Sequence, residues 1–315
     1  RPGRLLLAQA LPEPRALMRL TRAQLAGVVV VTIVWGLNWP VMKLGVTEYP
    51  PFSFRTLSMW LGLPVLWAVV ALMKVPLAIP RTHWREVALL TVTNMMVWHS
   101  LVMVAVPLLS SGRAAILGYT MPVFSAVWGM ALFGQRLSMR QWLGLAAAAL
   151  GVVLLLWHEL GVMAGRPLGV AGMLVAAAVW ALGTQQMRRT TIPVPTLAII
   201  WWMTVATTVL LTLLAVVFEH DRWHVPNAPA WGAILYNAVL IFGTVQPVWL
   251  LLARQLPPIA STLSVMLIPV IGIASGALWL GEPLHWQDFA AMLLMLASIA
   301  SVLWPARTPA AQRAA

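Results

Sequence analysis

Cysteine is absent from this 315-residue chain. That excludes disulfides, a thiolate nucleophile and any cysteine-based metal centre. Charge is scarce too: 9% of residues are Asp, Glu, Lys or Arg, against about 25% in a soluble domain. So few charges cannot cover a water-facing surface, and the 61% of hydrophobic residues must meet something other than water. Acids are the rarest of all. The eight are Glu13, Glu48, Glu86, Glu159, Glu219, Asp221, Glu282 and Asp288, each in a tail or near the end of an apolar run. With none in mid-run, a carboxylate proton relay of the pump type is not expected. The chain has no Gly-rich phosphate-binding motif, which argues against direct ATP drive. Its six histidines are scattered, without metal-ligand spacing. No metal and no cofactor is implied. The long apolar runs lack the period of two that a β-barrel would require.

What remains is apolar sequence, with a mean hydropathy of +0.87. Runs long enough to cross a bilayer, broken by charges, prolines and turn residues, give ten spans. They cover 24–44, 53–73, 86–108, 113–134, 140–157, 168–188, 197–218, 230–252, 258–281 and 286–304. The fold class expected is therefore all-α integral membrane. Residues 1–23 read as a basic tail and 305–315 as a second tail; Leu5 to Leu11, followed by Pro12 and Pro14, does not read as a signal peptide. The loops are too short for a soluble domain.

With the N-terminus inside, only Lys43, Arg55, Arg113, Arg166 and Arg222 of the 20 basic residues fall outside. This bias predicts a multi-pass inner (plasma) membrane protein with both termini cytoplasmic. It also accounts for the net charge of +12 without nucleic acid, which would need a basic soluble domain. The partners expected are the bilayer and a small-molecule substrate, with homodimerisation left open.

The second half repeats the first. Segment 113–157 aligns without gaps on 260–304, placing Pro122 on Pro269, Gly134 on Gly281, Leu137 on Leu284 and Trp157 on Trp304. A nearby shift places Trp35 on Trp180 and Met42 on Met187. Five spans separate the copies, and an odd number reverses the second copy in the membrane. The expected architecture is two inverted five-helix repeats, 24–157 and 168–304.

Particular residues narrow this further. The first span reads Trp35-Gly36-Leu37-Asn38-Trp39-Pro40 and leads to Pro51-Phe52-Ser53-Phe54-Arg55. The fourth carries Ser110-Ser111-Gly112-Arg113, Pro122 and Phe133-Gly134-Gln135. The second half closes with Pro269-Val270-Ile271 and Leu280-Gly281-Glu282-Pro283-Leu284. This pattern resembles the EamA family of the drug/metabolite transporter superfamily. The resemblance implies ten helices in an inverted repeat and export of small metabolites such as amino acids. The chain departs from the family pattern at Gln135, where Glu is usual, while the second copy keeps Glu282.

Polar groups inside hydrocarbon are costly and by default face a cavity. Trp35, Asn38 and Met42 share a helical face with Trp39 beside it. Span three offers Asn94, Trp98 and His99; span four Tyr119; span six Trp180 and Gln185; span eight Asn237, Gln246 and Trp249. The substrate site expected is Trp35, Asn38, Trp39, Trp98, His99, Tyr119, Trp180, Gln185, Gln246 and Trp249, around a solvated hollow where the repeats meet. Such aromatic walls suit apolar, aromatic or cationic ligands. Arg55 and Arg113 read as interfacial anchors. Pro122 and Pro269 are expected to kink their helices and help the halves rock. Gly272, Gly276, Gly144, Ala148 and Gly151 read as close-packing faces. An intramembrane enzyme acting on lipid or prenyl groups is the competing reading; it would need an acid pair or metal cluster at one membrane face, and none is evident. A membrane subunit without transport is the other.

Overall fold

The computed structural model describes residues 22–134, 136–161, 167–246, 248 and 258–303, and every regular element among them is helical. Among the described residues, seven spans are long and apolar enough to cross a membrane, and three shorter apolar helices accompany them. Without water in the bilayer core, each segment must satisfy its own backbone, and helices do so.

α1 (Arg22–Glu48) is followed by α2 (Pro51–Leu72), with proline in its first turn. Next come α3 (Trp84–Thr91), a π-helical turn at Val92–Met96 and α4 (Val97–Ala105). These three form one span in place of the continuous helix expected over 86–108. α5 (Ser111–Gly118) and α6 (Met121–Phe133) are likewise one span with a break at Tyr119 and Thr120. Pro122 therefore stands in the first turn of α6, where its missing N–H costs little, rather than in a helix interior. α7 (Met139–Gly161) is followed by α8 (Pro167–Met187) and α9 (Thr196–Glu219). α10 (Ala228–Leu235) runs into a longer π-helical stretch, Tyr236–Val245. α11 (Pro258–Leu280) keeps Pro269 inside it, and α12 (Trp286–Leu303) ends the described chain.

Helix ends follow from local chemistry. α6 and α11 stop at the aligned glycines Gly134 and Gly281, whose φ angles are 63° and 62°. A side chain is strained in that left-handed conformation, so glycine ends the helix.

The packing pairs have a two-fold pattern. α1 lies on α11 as α8 lies on α6; α2 lies on the Tyr236–Val245 stretch as α9 lies on α3; α7 pairs with α12 and α2 with α9. Small residues permit these approaches, as the sequence led one to expect: Gly144 faces Ser298 and Ser301 of α12, and Gly151 faces Ala291. Large apolar side chains such as Trp67, Leu143, Val153, Leu213 and Leu278 point outward, as a lipid-facing surface requires. The end of α1 and the start of α8 share one end of the bundle. Lys43 Nζ donates to the carbonyls of Val106 (3.1 Å) and Pro107 (2.8 Å) at the close of the third span. A Cβ on Gly169 would meet Leu108 and Leu109 at 3.0 Å.

Candidate functional site

The seam between the halves starts from the stripe on α1. Trp39 is 5% exposed and fits between two glycines. A Cβ on Gly118 of α5 would lie 2.9 Å from its ring, and one on Gly272 of α11 would lie 3.4 Å away. One indole thus touches both copies of the repeat. Trp98, Tyr119 and Met42 belong to the same apolar cluster, with Trp35 and Trp180 packed against it. Trp98 and Trp180 meet edge to face, ring centroids 4.3 Å apart and planes at 64°, a geometry that aromatic quadrupoles favour.

Polar atoms are enclosed in this apolar setting. Asn38 is 8% exposed, and its Oδ1 has no hydrogen-bond partner among the described residues. His99 follows the first π turn; its Nδ1 is also without a partner, and its ring tilts against Phe242 at 5.6 Å. Phe242 belongs to the second π-helical stretch and lies 5.5 Å from Arg55 Cζ. Arg55 Nη1 donates to Asn237 Oδ1 at 3.1 Å and Nη2 to Met42 Sδ at 2.8 Å. Met42 stands one turn from Asn38 on α1. Side chains of α1, α2, α4 and the Tyr236–Val245 stretch thus converge on one polar seam.

At one end of the bundle two carboxylates tie helices that are distant in sequence. Glu219, at the end of α9 and 1% exposed, accepts from the N–H groups of Phe52 (3.0 Å) and Ser53 (2.7 Å) and from Ser53 Oγ (2.7 Å). A carboxylate at the N-terminus of α2 is doubly favoured, by free N–H donors and by the helix dipole. Burial pushes the nearby Tyr49 phenol up, and the Glu219 charge adds to it. Glu282 repeats the device on α5, accepting from Ser111 N (2.8 and 3.0 Å) and Ser111 Oγ (2.6 Å). Beside it Arg113 Nε donates to Asp288 Oδ1 at 2.7 Å. The cleft there, lined by Ser110, Arg113, Glu282 and Asp288 among others, has a volume of about 10 Å³, room for one water.

Two segments, 23–157 and 167–304, match the model of the EamA-like transporter family. The chain belongs to that family. The uncharacterized transporter YoaV of Bacillus subtilis is 23% identical over 278 residues, covering 87% of this chain and 94% of that one. The uncharacterized inner membrane transporter YedA of Escherichia coli K12 is 26% identical over 286 residues, covering 87% and 90%. A probable amino-acid metabolite efflux pump of the same strain is 25% identical over 280 residues, covering 85% and 91%. A solved crystal structure covers 92% of this chain and 99% of its own with a TM-score of 0.63 at 20% identity, a likeness of fold.

In this EamA-like transporter, the residues singled out from sequence fall into three groups. Trp35, Asn38, Trp39, Trp98, His99, Tyr119 and Trp180 gather at the seam, largely shut away rather than around an open hollow, because glycine contacts bring the helices too close. Gln185 ties α8 to α6: its Nε2 donates to Ser125 O (3.0 Å) and Oγ (2.8 Å), while Arg189 donates to its Oε1 at 2.6 Å. Gln246 is half-buried at the end of the second π-helical stretch, and Trp249 lies outside the described residues. Arg113 is an ion-pair partner rather than a free interfacial anchor. Arg55 corrects the expectation most: it is 2% exposed and points into the bundle. Its one-turn depth in α2 suggested the interface, and sequence could not tell which way the side chain turned. The signal available was its setting between Phe54 and Thr56 in a run without acids.

Proposed function

We propose that this chain exports amino acids or related amphipathic metabolites across the inner membrane. It does so by alternating access between two inverted five-helix repeats, ten spans in all, with both termini cytoplasmic. The carrying observation is the seam itself, where two polar atoms are buried without a partner among the described residues: Asn38 Oδ1, next to Trp39 on α1, and His99 Nδ1, whose ring lies against Phe242. The aromatic cluster of Trp39, Trp98, Tyr119 and Trp180 adjoins them. A buried polar atom without a partner costs on the order of 1–3 kcal/mol. A ligand that completes its hydrogen bonds recovers that cost, so a small amphipathic substrate suits the site.

Two further observations support the reading. The starts of α1 and α8 lie at opposite ends of the bundle, since Gly169 packs where the third span closes; this is the arrangement of an inverted repeat. The Glu219 and Glu282 clamps close the end that the basic-residue bias assigns to the outside. Closure at the outer end is what a rocking exporter needs before it loads from the cytoplasm.

Proteoliposome counterflow tests the proposal. Saturable exchange of a labelled amino acid is expected for the native chain, and at least a tenfold loss for Trp39→Ala and Asn38→Ala. Absence of exchange across the twenty amino acids, their amides and amines, with a normal melting transition, would falsify it.

A further inference from the structure

Among the basic groups described, Arg55 has an unusual environment. Arg113 pairs with Asp288, and Lys43 caps the end of the third span. Arg55 is 2% exposed, and no described carboxylate lies within ion-pair distance of it. Its partners are neutral. Asn237 holds Nη1 and is itself aimed by its Nδ2, which donates to Ala233 O at 3.1 Å. Nη2 reaches only the sulfur of Met42, a weak acceptor. Nε is buried and donates to nothing described. The rings of Phe242 and Phe54, 5.5 and 5.9 Å from Cζ, compensate part of the charge. A buried cation without a counter-ion is costly and marks a functional position by default.

The open valences have a particular shape. Nε and Nη2 form the side-on edge of a guanidinium, the edge that grips a carboxylate with two parallel hydrogen bonds. That edge is the one left to a thioether and to nothing, while Nη1 is committed to Asn237. Phe242 connects it to His99, whose ring lies against the same phenyl group. One turn along α1 from Met42, Asn38 Oδ1 offers a free acceptor. Both Phe242 and His99 belong to or follow π-helical turns, which recur at functional sites.

We propose that Arg55 binds the carboxylate of the transported metabolite through Nε and Nη2, displacing Met42 Sδ, and that Asn38 Oδ1 faces the substrate's ammonium group. The site then selects zwitterions or organic acids over amines and amides of the same side chain. This rests on the export reading above and names the substrate group that the seam recognises.

The experiment is competitive counterflow in proteoliposomes of the full chain. L-Phenylalanine and L-threonine are each set against their own amides, so side chains match within each pair. The native chain is expected to prefer the acid by roughly 10- to 100-fold, the worth of a charge-assisted pair. Arg55→Gln is expected to erase the preference, and Arg55→Lys to keep a fraction of it, because an ammonium group cannot bond side-on. Met42→Glu guards against loss of folding: its own carboxylate should occupy the guanidinium, giving a protein that melts at or above the native temperature yet no longer takes acids. An unchanged acid-to-amide ratio in folded Arg55→Gln would overturn the inference, as would equal native affinity for acid and amide. Replacing chloride by gluconate separates the remaining source of an anion. Equal changes in flux for acids and amides would mean that Arg55 holds an inorganic anion, which also overturns it. Flux without acid preference leaves the export reading standing; no flux of any compound removes both.

Discussion

The clamped end and the central seam treat their polar groups in opposite ways. At the clamped end the charged groups are matched: Glu219 accepts three hydrogen bonds, Glu282 is bonded to both donors of Ser111, and Lys43 closes the carbonyls of Val106 and Pro107, although Thr56 Oγ1 and Gln287 Oε1 nearby lack a partner among the described residues. In the seam Asn38 Oδ1, Arg55 Nε and His99 Nδ1 are buried and unmatched among the described residues. Filled valences make a joint that resists opening. Unfilled ones make a place that stays costly until something enters. Residues of similar type therefore serve stability in one region and recognition in the other.

The comparison can be broken most severely at Glu219. Glu219→Ala leaves two helix N-terminal N–H groups and a hydroxyl unpaired in a buried site and should cost about 3 kcal/mol, read as a lowered melting temperature in detergent. The natural absence of cysteine gives a second readout. A Thr56→Cys reporter, buried in the native chain, should react with an impermeant maleimide several-fold faster once Glu219→Ala loosens that end. Glu282→Ala removes the matching clamp on α5. Its expected cost is about 1–2 kcal/mol, since Glu282 is only half-buried. A loss equal to that of Glu219→Ala would show that exposure does not set the difference.

Gly281→Ala tests the other local device at this end. The φ of 62° should cost about 1 kcal/mol, measured by the same melt, with export little changed. The smallest stability effect belongs to the seam. Asn38→Leu removes an unmatched acceptor and should leave stability unchanged or raise it by about 1 kcal/mol, while counterflow falls at least tenfold. A large loss of stability would mean that Asn38 is a structural tie, and the contrast between the two regions would disappear.

Much of the architecture was legible in the residues. Pro122 on Pro269 and Gly134 on Gly281 announced a repeat, and the two glycines do end their helices with matching φ. Asn38, Trp39, Trp98 and His99 stood out because polar and aromatic groups are conspicuous in apolar runs, and they meet at the seam. The π turns were not legible. A π turn holds one more residue than an α turn and leaves no mark in hydropathy, so the span around Asn94 and His99 reads as an ordinary apolar helix. Glu219 and Glu282 looked like loop acids near span ends, yet each reaches across to a helix from a distant part of the chain.

Composition and periodicity by themselves determined that the chain is helical, spans a membrane several times and repeats itself, because lipid leaves the backbone few other solutions. Only the tertiary structure decided which way Arg55 turns and which carboxylate closes which helix. Those outcomes depend on neighbours some 170 or more residues away in sequence, as with Asn237 for Arg55 and Glu282 for Ser111. Hydropathy along one segment carries no record of them.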